Sequence, residues 1–255
     1  MNNLLDPTQR FSDRVEHYVL YRPRYPTEIL DPLKIDCRLT SGSIIADVGS
    51  GTGFLAEVFL SNGNRVFGIE PNPEMRQAGE RLLASWPKFK SVAATAESTS
   101  LPDGSVDFVT GGQAFHWFDR EACRAEFKRI LRPDGWVVLV WNDRRTDSTA
   151  FLSAYEQLLV TYGTDYAQVN HKRIDAAMLR AFFRAEPAKK VFANYQRFDF
   201  ASLKGRLLSS SYVPGPGRPR HVEMVDALKG VFDCHQEKGH VTLEYDTVMY
   251  YGRLG

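Results

Sequence analysis

The sequence predicts an α/β fold: a mostly parallel sheet with helices on both faces. Three observations carry this expectation. Short apolar runs recur along the first half of the chain with helix-like segments between them. A turn with three alternating glycines, Asp47-Val48-Gly49-Ser50-Gly51-Thr52-Gly53, directly follows the first of those runs. An acid, Glu70, ends the second run 21 residues beyond Gly49.

The strands are read first. Ile44 to Val48, Arg65 to Glu70, Val106 to Thr110 and Trp136 to Trp141 are short, apolar and bounded by turn residues, as buried strands are. Phe54 to Leu60 continues from the glycines as a helix, and Pro73 to Ser85 follows the second strand. Arg120 to Leu131 places Ala122, Cys123, Phe127, Ile130 and Leu131 at helical spacing. Asn62-Gly63 and Pro133-Asp134-Gly135 close helices before the next strand. Alternating strand and helix implies parallel strands with right-handed crossovers, and ligands gathered at the carboxyl ends of the strands.

After Trp141 the pattern changes. Phe151 to Tyr162 and Lys172 to Arg184 read as helices, and Val191 to Phe200 and Val241 to Tyr250 alternate as strands do. Between these strands lie a Gly/Pro loop at 213–219 and a helix from Pro219 to Gln236. The last two strands are expected to pair antiparallel. The whole is expected to be one domain: an N-terminal lid or helical segment at 1–40, a ligand-binding core at 41–142, a helical cap at 143–188, and strands with a helix at 189–255.

Composition narrows the function. The 255 residues are 43% hydrophobic and 25% charged, ordinary values for a soluble protein. A formal net charge of +1 gives no general attraction to nucleic acid or an acidic membrane. Cys37, Cys123 and Cys234 are far apart and lack C-x-x-C spacing, so a reducing, cytoplasmic setting is expected, with no disulfide framework and no metal. No signal peptide and no membrane span is expected.

The glycine spacing bears on the ligand. In the dinucleotide pattern G-x-G-x-x-G the third glycine lets helix and strand close around a pyrophosphate. Here Phe54 holds that position, and Asp47 adds negative charge where a diphosphate would be repelled. An ammonium or sulfonium group would be welcome instead. Glu70, at a strand end, can accept hydrogen bonds from ribose hydroxyls, which implies a ribose without a 2′-phosphate.

With these residues on the page, residues 40–142 closely resemble the class I S-adenosylmethionine-dependent methyltransferases of the type 11-like kind. D-V-G-S-G-T-G resembles the first motif, G-I-E-P-N-P-E-M (68–75) the ribose-binding strand end, A-T-A-E-S-T-S-L-P-D-G-S-V-D-F-V (94–109) the adenine-side loop, and I-L-R-P-D-G-W-V-V-L-V (130–140) the helix, turn and fifth strand. F-S-D-R-V-E-H-Y-V-L-Y-R-P-R-Y-P (11–26) resembles the small-molecule branch that includes trans-aconitate methyltransferase-like proteins. The resemblance implies a Rossmann-like, seven-stranded sheet with an antiparallel last strand, and S-adenosyl-L-methionine as cofactor. It implies that Gly49, Gly51 and Gly53 lie along the methionine part, with Asp47 orienting the loop or reaching the amino group through water. Glu70 would hold the ribose, Asn72 and Met75 would flank the adenine, and Ala96 would offer its N–H to the ring, with Glu97 close by. Many relatives carry Asp where this chain has Thr95, so Thr95 or Glu97 would take up the exocyclic amine.

The fourth strand runs into Gly111-Gly112-Gln113-Ala114-Phe115-His116-Trp117, where such folds face the methyl group. This is unlike the Asn-Pro-Pro-aromatic motif that grips a base or amide, and it resembles the small-molecule branch. Gln113 falls on the cofactor side. His116 is the candidate catalytic residue. It is a general base by its ordinary pKa near 6.5, or a positioning group where the acceptor is a carboxylate or thiolate and needs no base. Tyr18, Tyr21 and Tyr25, with Arg22, form a candidate lid and substrate-binding set. Tyr212, after Ser209 to Ser211, joins it from the Gly/Pro loop. Between His171 and Arg220 eleven Lys or Arg residues stand against three acids, which is either a solvated face or the lining of a pocket for an anion. The expected function is methyl transfer to a small molecule, a carboxylate among the candidate acceptors. The alternatives are a non-catalytic S-adenosylmethionine-binding regulator and a nicotinamide oxidoreductase, which Phe54 and Asp47 oppose.

Overall fold

The structure, a computed structural model, describes residues 15–164, 166 and 175–255. The strands are β1 (Ile44–Val48), β2 (Arg65–Ile69), β3 (Phe89–Val92), β4 (Val106–Gly112), β5 (Leu131–Arg144), β6 (Ala188–Phe198) and β7 (Val241–Gly252). The helices are α1 (Val15–Tyr21), α2 (Leu30–Asp36), α3 (Phe54–Ser61), α4 (Pro73–Leu82), α5 (Arg120–Ile130), α6 (Ala150–Tyr162), α7 (Ala176–Phe183), α8 (Phe200–Leu208) and α9 (His221–His235). The first residues of the helix expected at Lys172 to Arg184 lie outside the described residues.

All seven strands form one sheet in the order β3-β2-β1-β4-β5-β7-β6. Neighbours from β3 to β5 pair parallel, and β7 runs antiparallel to both β5 and β6. The chain therefore moves outward from β1 to β3 and then restarts on the other side of β1 with β4. Loops leaving β1 and β4 part in opposite directions and open a crevice at the strand ends.

Strand alternation feeds two cores. Val138 and Val140 pack with Ile45, Leu33, Leu55 and Phe59, so α2 and α3 cover one face. Val137 and Leu139 pack with Ala46, Val109, Phe127 and Phe182, so α5 and α7 cover the other. A third cluster gathers Leu152 and Tyr155 of α6, Leu203 and Leu207 of α8, and Met224 and Leu228 of α9 around Leu243 and Tyr245 of β7. Helix α1 packs on α4 and α8, which carries the N-terminal segment across the crevice.

Three elements differ from the sequence reading. Strand β3 is absent from the expected set: four residues, Phe-Lys-Ser-Val, sit at the sheet edge without the apolar run of an interior strand. Phe200 does not end a strand but opens α8, because the Asp199 carboxylate accepts from the Ser202 N–H at 2.8 Å and caps that helix. Strand β5 begins at Leu131, opposite Val106, and Pro133 to Gly135 lie in a register shift rather than before the strand. Among the described residues no helix is long and apolar enough to cross a membrane.

Candidate functional site

The glycine loop joins β1 to α3. Gly49, Gly51 and Gly53 have φ of 64°, 55° and 84°, the left-handed region that glycine occupies without strain. Space is closed as well: a Cβ on Gly49 would stand 2.7 Å from the Ala114 Cβ, and one on Gly53 2.5 Å from Leu83 Cδ1. Gly49 and Gly51 line a cavity of about 560 Å³ at the carboxyl ends of β1, β2 and β4. Gly53 does not face it. It stands before the first turn of α3 against Leu83, so its task is the close packing of helix start and core.

Glu70 ties the loop to the next one. Its Oε2 accepts from the Gly51 N–H and its Oε1 from the Asn72 N–H, both at 2.8 Å. Asn72 in turn caps α4 by accepting from the Met75 N–H at 2.8 Å. Burial raises the Glu70 carboxyl above its ordinary range, while the two N–H bonds and Arg76 pull it back. Each carboxylate oxygen keeps acceptor capacity beyond its one N–H bond.

Asp47 is 1% exposed. Its Oδ1 accepts from the Thr110 hydroxyl at 2.8 Å, and its Oδ2 is buried with no hydrogen-bond partner. Burial pushes this carboxyl up to about 7, against the opposing pull of Thr110 and of the Ala56 N–H in the first turn of α3. Two further side-chain atoms are buried and unpartnered among the described residues, Thr52 Oγ1 and Arg22 Nε, and both residues line the same cavity. An unmet buried polar group costs about 1–3 kcal/mol. Three of them around one cavity are partners held ready for a polar ligand.

The other expected residues fall as follows. Asn72, Met75, Ala96, Glu97 and Gln113 line the cavity, and so does Thr95. Glu97 Oε1 accepts from the Asp119 N–H at 3.1 Å, which anchors the loop at 94–99 to the start of α5. Gln113 adopts φ 55° as a non-glycine residue and its Oε1 accepts from the Asn142 N–H at 3.2 Å, so it locks the turn after β4. His116 is half-buried on the turn after β4, faces the cavity, and has its ring 4.7 Å from that of Trp117.

From the N-terminal segment, Tyr18, Arg22 and Tyr25 line the cavity. The Tyr18 ring stacks on Phe54 at 5.9 Å, the Arg22 guanidinium lies 5.3 Å from the Tyr18 ring centre, and Tyr25 packs over the Gly112 backbone. Burial raises the phenols of Tyr18 and Tyr25. Tyr21 does not face the cavity. Consecutive residues on a helix point about 100° apart, and the Tyr21 ring lies on the backbone of Gly205 at the third cluster.

Sequence reasoning missed the far wall. Arg206 of α8, Tyr245 of β7, and Asn142 and Arg144 of β5 all line the cavity. Arg206 is 5% exposed; its Nε donates to the Tyr245 hydroxyl at 3.3 Å and its Nη1 to Ser210 Oγ at 3.2 Å. Arg22 Nη2 donates to the Ser209 carbonyl at 3.0 Å, which brings the two arginines to one turn of chain. Arg144 is paired with Glu156, whose carboxylate also accepts from the Tyr166 hydroxyl. Tyr212 stands among these cations: burial raises its phenol, and Arg206, Arg22, a Ser210 hydrogen bond and Arg144 together draw it below its ordinary value. Beyond Tyr212, which the residue order placed here, only the basic excess between His171 and Arg220 hinted at this wall, and it does not say which arginine turns inward.

Comparison with known proteins agrees with the geometry. Residues 46–139 match the family model described as a methyltransferase domain. An uncharacterised methyltransferase-like protein of Schizosaccharomyces pombe is 33% identical over 156 residues, 61% of this chain and 59% of that one. An uncharacterised methyltransferase of Mycobacterium tuberculosis is 37% identical over 139 residues, 54% of each chain. The chain thus spans little more than half the length of these curated relatives. A solved structure from Anaeromyxobacter dehalogenans, described as a type II methyltransferase, superposes with a TM-score of 0.68 at 21% identity, over 92% of this chain and 98% of that one. The YcgJ protein of Bacillus subtilis does so with a TM-score of 0.54 at 18% identity, over 90% and 100%. These two likenesses establish the fold. The matched domain takes in the glycine loop, Glu70, Ala96 and His116, and leaves out Arg22 and Arg206.

Proposed function

We propose, from the match of residues 46–139 to a methyltransferase domain and the fold shared with a solved methyltransferase, that the chain is a class I S-adenosylmethionine-dependent methyltransferase and transfers a methyl group to a small-molecule acceptor bearing a carboxylate. One observation carries this reading: a single cavity runs from the glycine loop and Glu70 to the wall of Arg22, Arg206 and Tyr212. A cationic cofactor suits the first end, where Asp47 and Glu70 are buried acids. An anionic acceptor suits the second.

Bound at the first end, S-adenosylmethionine supplies a methyl group on a positively charged sulfur. The chain's residues supply the rest. Glu70 takes the ribose hydroxyls with the acceptor capacity left on its two oxygens, and Asp47 Oδ2 and Thr52 Oγ1 receive the amino-acid portion, directly or through water. Met75 and Asn72 flank the base, Ala96 presents its N–H, and Thr95 or Glu97 takes the exocyclic amine. Tyr18, Arg22 and Tyr25 on the N-terminal segment close the cavity from above and exclude water. Alignment of acceptor and methyl in such a closed site is worth about 7–11 kcal/mol in favourable cases. His116 stands at the acceptor side; a carboxylate is already ionised near neutrality, so His116 orients the acceptor rather than deprotonating it. A reducing, cytoplasmic setting belongs to the same proposal, since Cys37, Cys123 and Cys234 are all free thiols.

Calorimetry tests the cofactor first. S-adenosylhomocysteine is expected to bind with micromolar affinity and NAD not at all; the reverse would overturn the reading. Methyl-labelled S-adenosylmethionine with a panel of small carboxylic acids then tests the acceptor, and labelling of neutral or cationic compounds alone would reject the carboxylate.

A further inference from the structure

Building on the anionic acceptor just proposed, we infer that Arg22 and Arg206 form one subsite for two negative charges, so that the acceptor is an organic dianion. The inference rests on charge balance around two guanidinium groups. Arg22 is half-buried, with its Nε shut away from solvent and unpartnered, and Arg206 is 5% exposed. The groups that face Arg22 are Arg206, Tyr212, Tyr18 and Tyr245; those that face Arg206 are Tyr245, Tyr155 and Tyr212. Among the described residues none of these groups is a carboxylate, and Asp143 of β5 is the further acid that lines the cavity beside Arg144. Glu156, behind this wall, is engaged by Arg144 and Tyr166.

The donors are also placed for it. The Tyr245 hydroxyl donates to Gln196 Oε1 at 2.9 Å, so its oxygen is left to accept from Arg206 Nε, and the guanidinium is held through Nε and Nη1. Arg22 is held through Nη2 alone, by the Ser209 carbonyl. Among the described residues no hydrogen bond engages Arg206 Nη2 or Arg22 Nη1, and Arg22 Nε has none either. Two planar forks with open N–H groups suit oxyanions, which each can hold in a bidentate manner. A neutral ligand leaves both charges uncompensated, and a monoanion leaves one. Burial and the neighbouring Arg206 depress the pKa of Arg22, whereas the opposing effect of burial on Arg206 is outweighed by the phenols of Tyr245, Tyr155 and Tyr212, which raise its pKa.

The test uses the chain saturated with S-adenosylhomocysteine and titrated at constant ionic strength. The probes are succinate, glutarate and adipate, which span a range of charge separations, with butyrate as the monoanion and glutaramide as the neutral control. The result expected is that one dicarboxylate at least binds ten times more tightly than butyrate, and that glutaramide shows no saturable binding. Arg22→Gln and Arg206→Gln each lose that affinity at least tenfold, while S-adenosylhomocysteine binding stays within threefold of wild type. If Arg206→Gln gives no cooperative melt, Arg22→Gln and Arg206→Lys carry the test, with the loss required of Arg22→Gln. Dicarboxylates no tighter than butyrate, or Gln variants that bind them like wild type, overturn the subsite and leave methyl transfer standing. Absence of S-adenosylhomocysteine binding removes the methyltransferase reading instead; the shift of melting temperature by dicarboxylates in the cofactor-free chain then decides the subsite by itself.

Discussion

The two ends of the cavity are built in opposite ways. At the cofactor end, Asp47, Gly49, Gly51, Glu70 and Asn72 lie within 26 residues of one another, and backbone N–H groups make the decisive contacts. At the proposed acceptor end, Arg22 just past α1 meets Arg144 of β5, Arg206 of α8 and Tyr245 of β7, and side chains make the contacts. The first end is acidic, with one carboxyl whose pKa burial raises to about 7; the second is basic, and among the described residues no acid faces Arg22 or Arg206. Parallel strands explain the contrast. Their carboxyl ends all open on one side, so short loops meet there by topology alone. The opposite wall has no such rule and depends on how the third cluster packs on the sheet.

Breaking the cofactor end at its hinge gives the largest effect. Glu70→Ala removes the acceptor of two backbone N–H groups and the proposed acceptor of the ribose, and hydrogen bonds to a charged group are worth about 1.5–3 kcal/mol each. Affinity for S-adenosylhomocysteine should fall about 10- to 100-fold by calorimetry, and unchanged affinity would show that the loop holds its shape without the acid.

Acidity separates the two ends next. Asp47 has a native pKa raised to about 7 from 3.8. Such a group makes the free chain more stable when protonated: that contribution is complete below pH 4 and is lost as pH rises to 7, with a total of about 4 kcal/mol at 1.36 kcal/mol per unit. A cationic ligand prefers the ionised form. Affinity for S-adenosylmethionine should therefore rise about tenfold from pH 6 to pH 8 and flatten above, and Asp47→Asn should abolish the slope. Guanidinium groups do not titrate in this window, so dicarboxylate affinity should stay level; a parallel rise at both ends would erase the distinction.

His116 sits between the ends. His116→Ala should slow single-turnover methyl transfer about fivefold with S-adenosylhomocysteine affinity within twofold, and equal rates would take His116 out of the site. Smallest of all is the effect of Tyr21→Leu on ligands. Tyr21 covers Gly205 and faces the third cluster, so both affinities should stay within twofold while the melting temperature drops by a few degrees. A tenfold loss of dicarboxylate binding would mean that Tyr21 shapes the acceptor end through α8.

Much of the cofactor end was legible in the residue order. Alternating glycines at left-handed φ, an acid at the next strand end and apolar runs separated by helices are local signals, and the structure puts Gly49, Gly51, Glu70, Asn72, Met75 and Ala96 around one cavity. Local signals failed where context decides. Phe89 to Val92 is a strand because β2 offers it an open edge, not because its residues alternate. The cap at Asp199 was readable in principle, since Asp three residues before Ser202 opens a helix, but the alternating run before it masked the signal. Gly53 shares the motif of Gly49 and Gly51 yet serves packing, because its place against Leu83 depends on how α3 meets the core.

By itself the sequence determined every strand but β3, the glycine turn, the acid in register with it and the histidine after β4, since each follows from residue type and spacing over a few tens of residues. Only the tertiary structure decided which of eleven basic residues between 171 and 220 meets Arg22, and which neighbouring tyrosine turns away. The reason is physical. Backbone conformation and strand pairing are set by short-range sterics and period, whereas the facing of two charged side chains nearly two hundred residues apart is set by the packing of whole elements, which no short stretch of sequence contains.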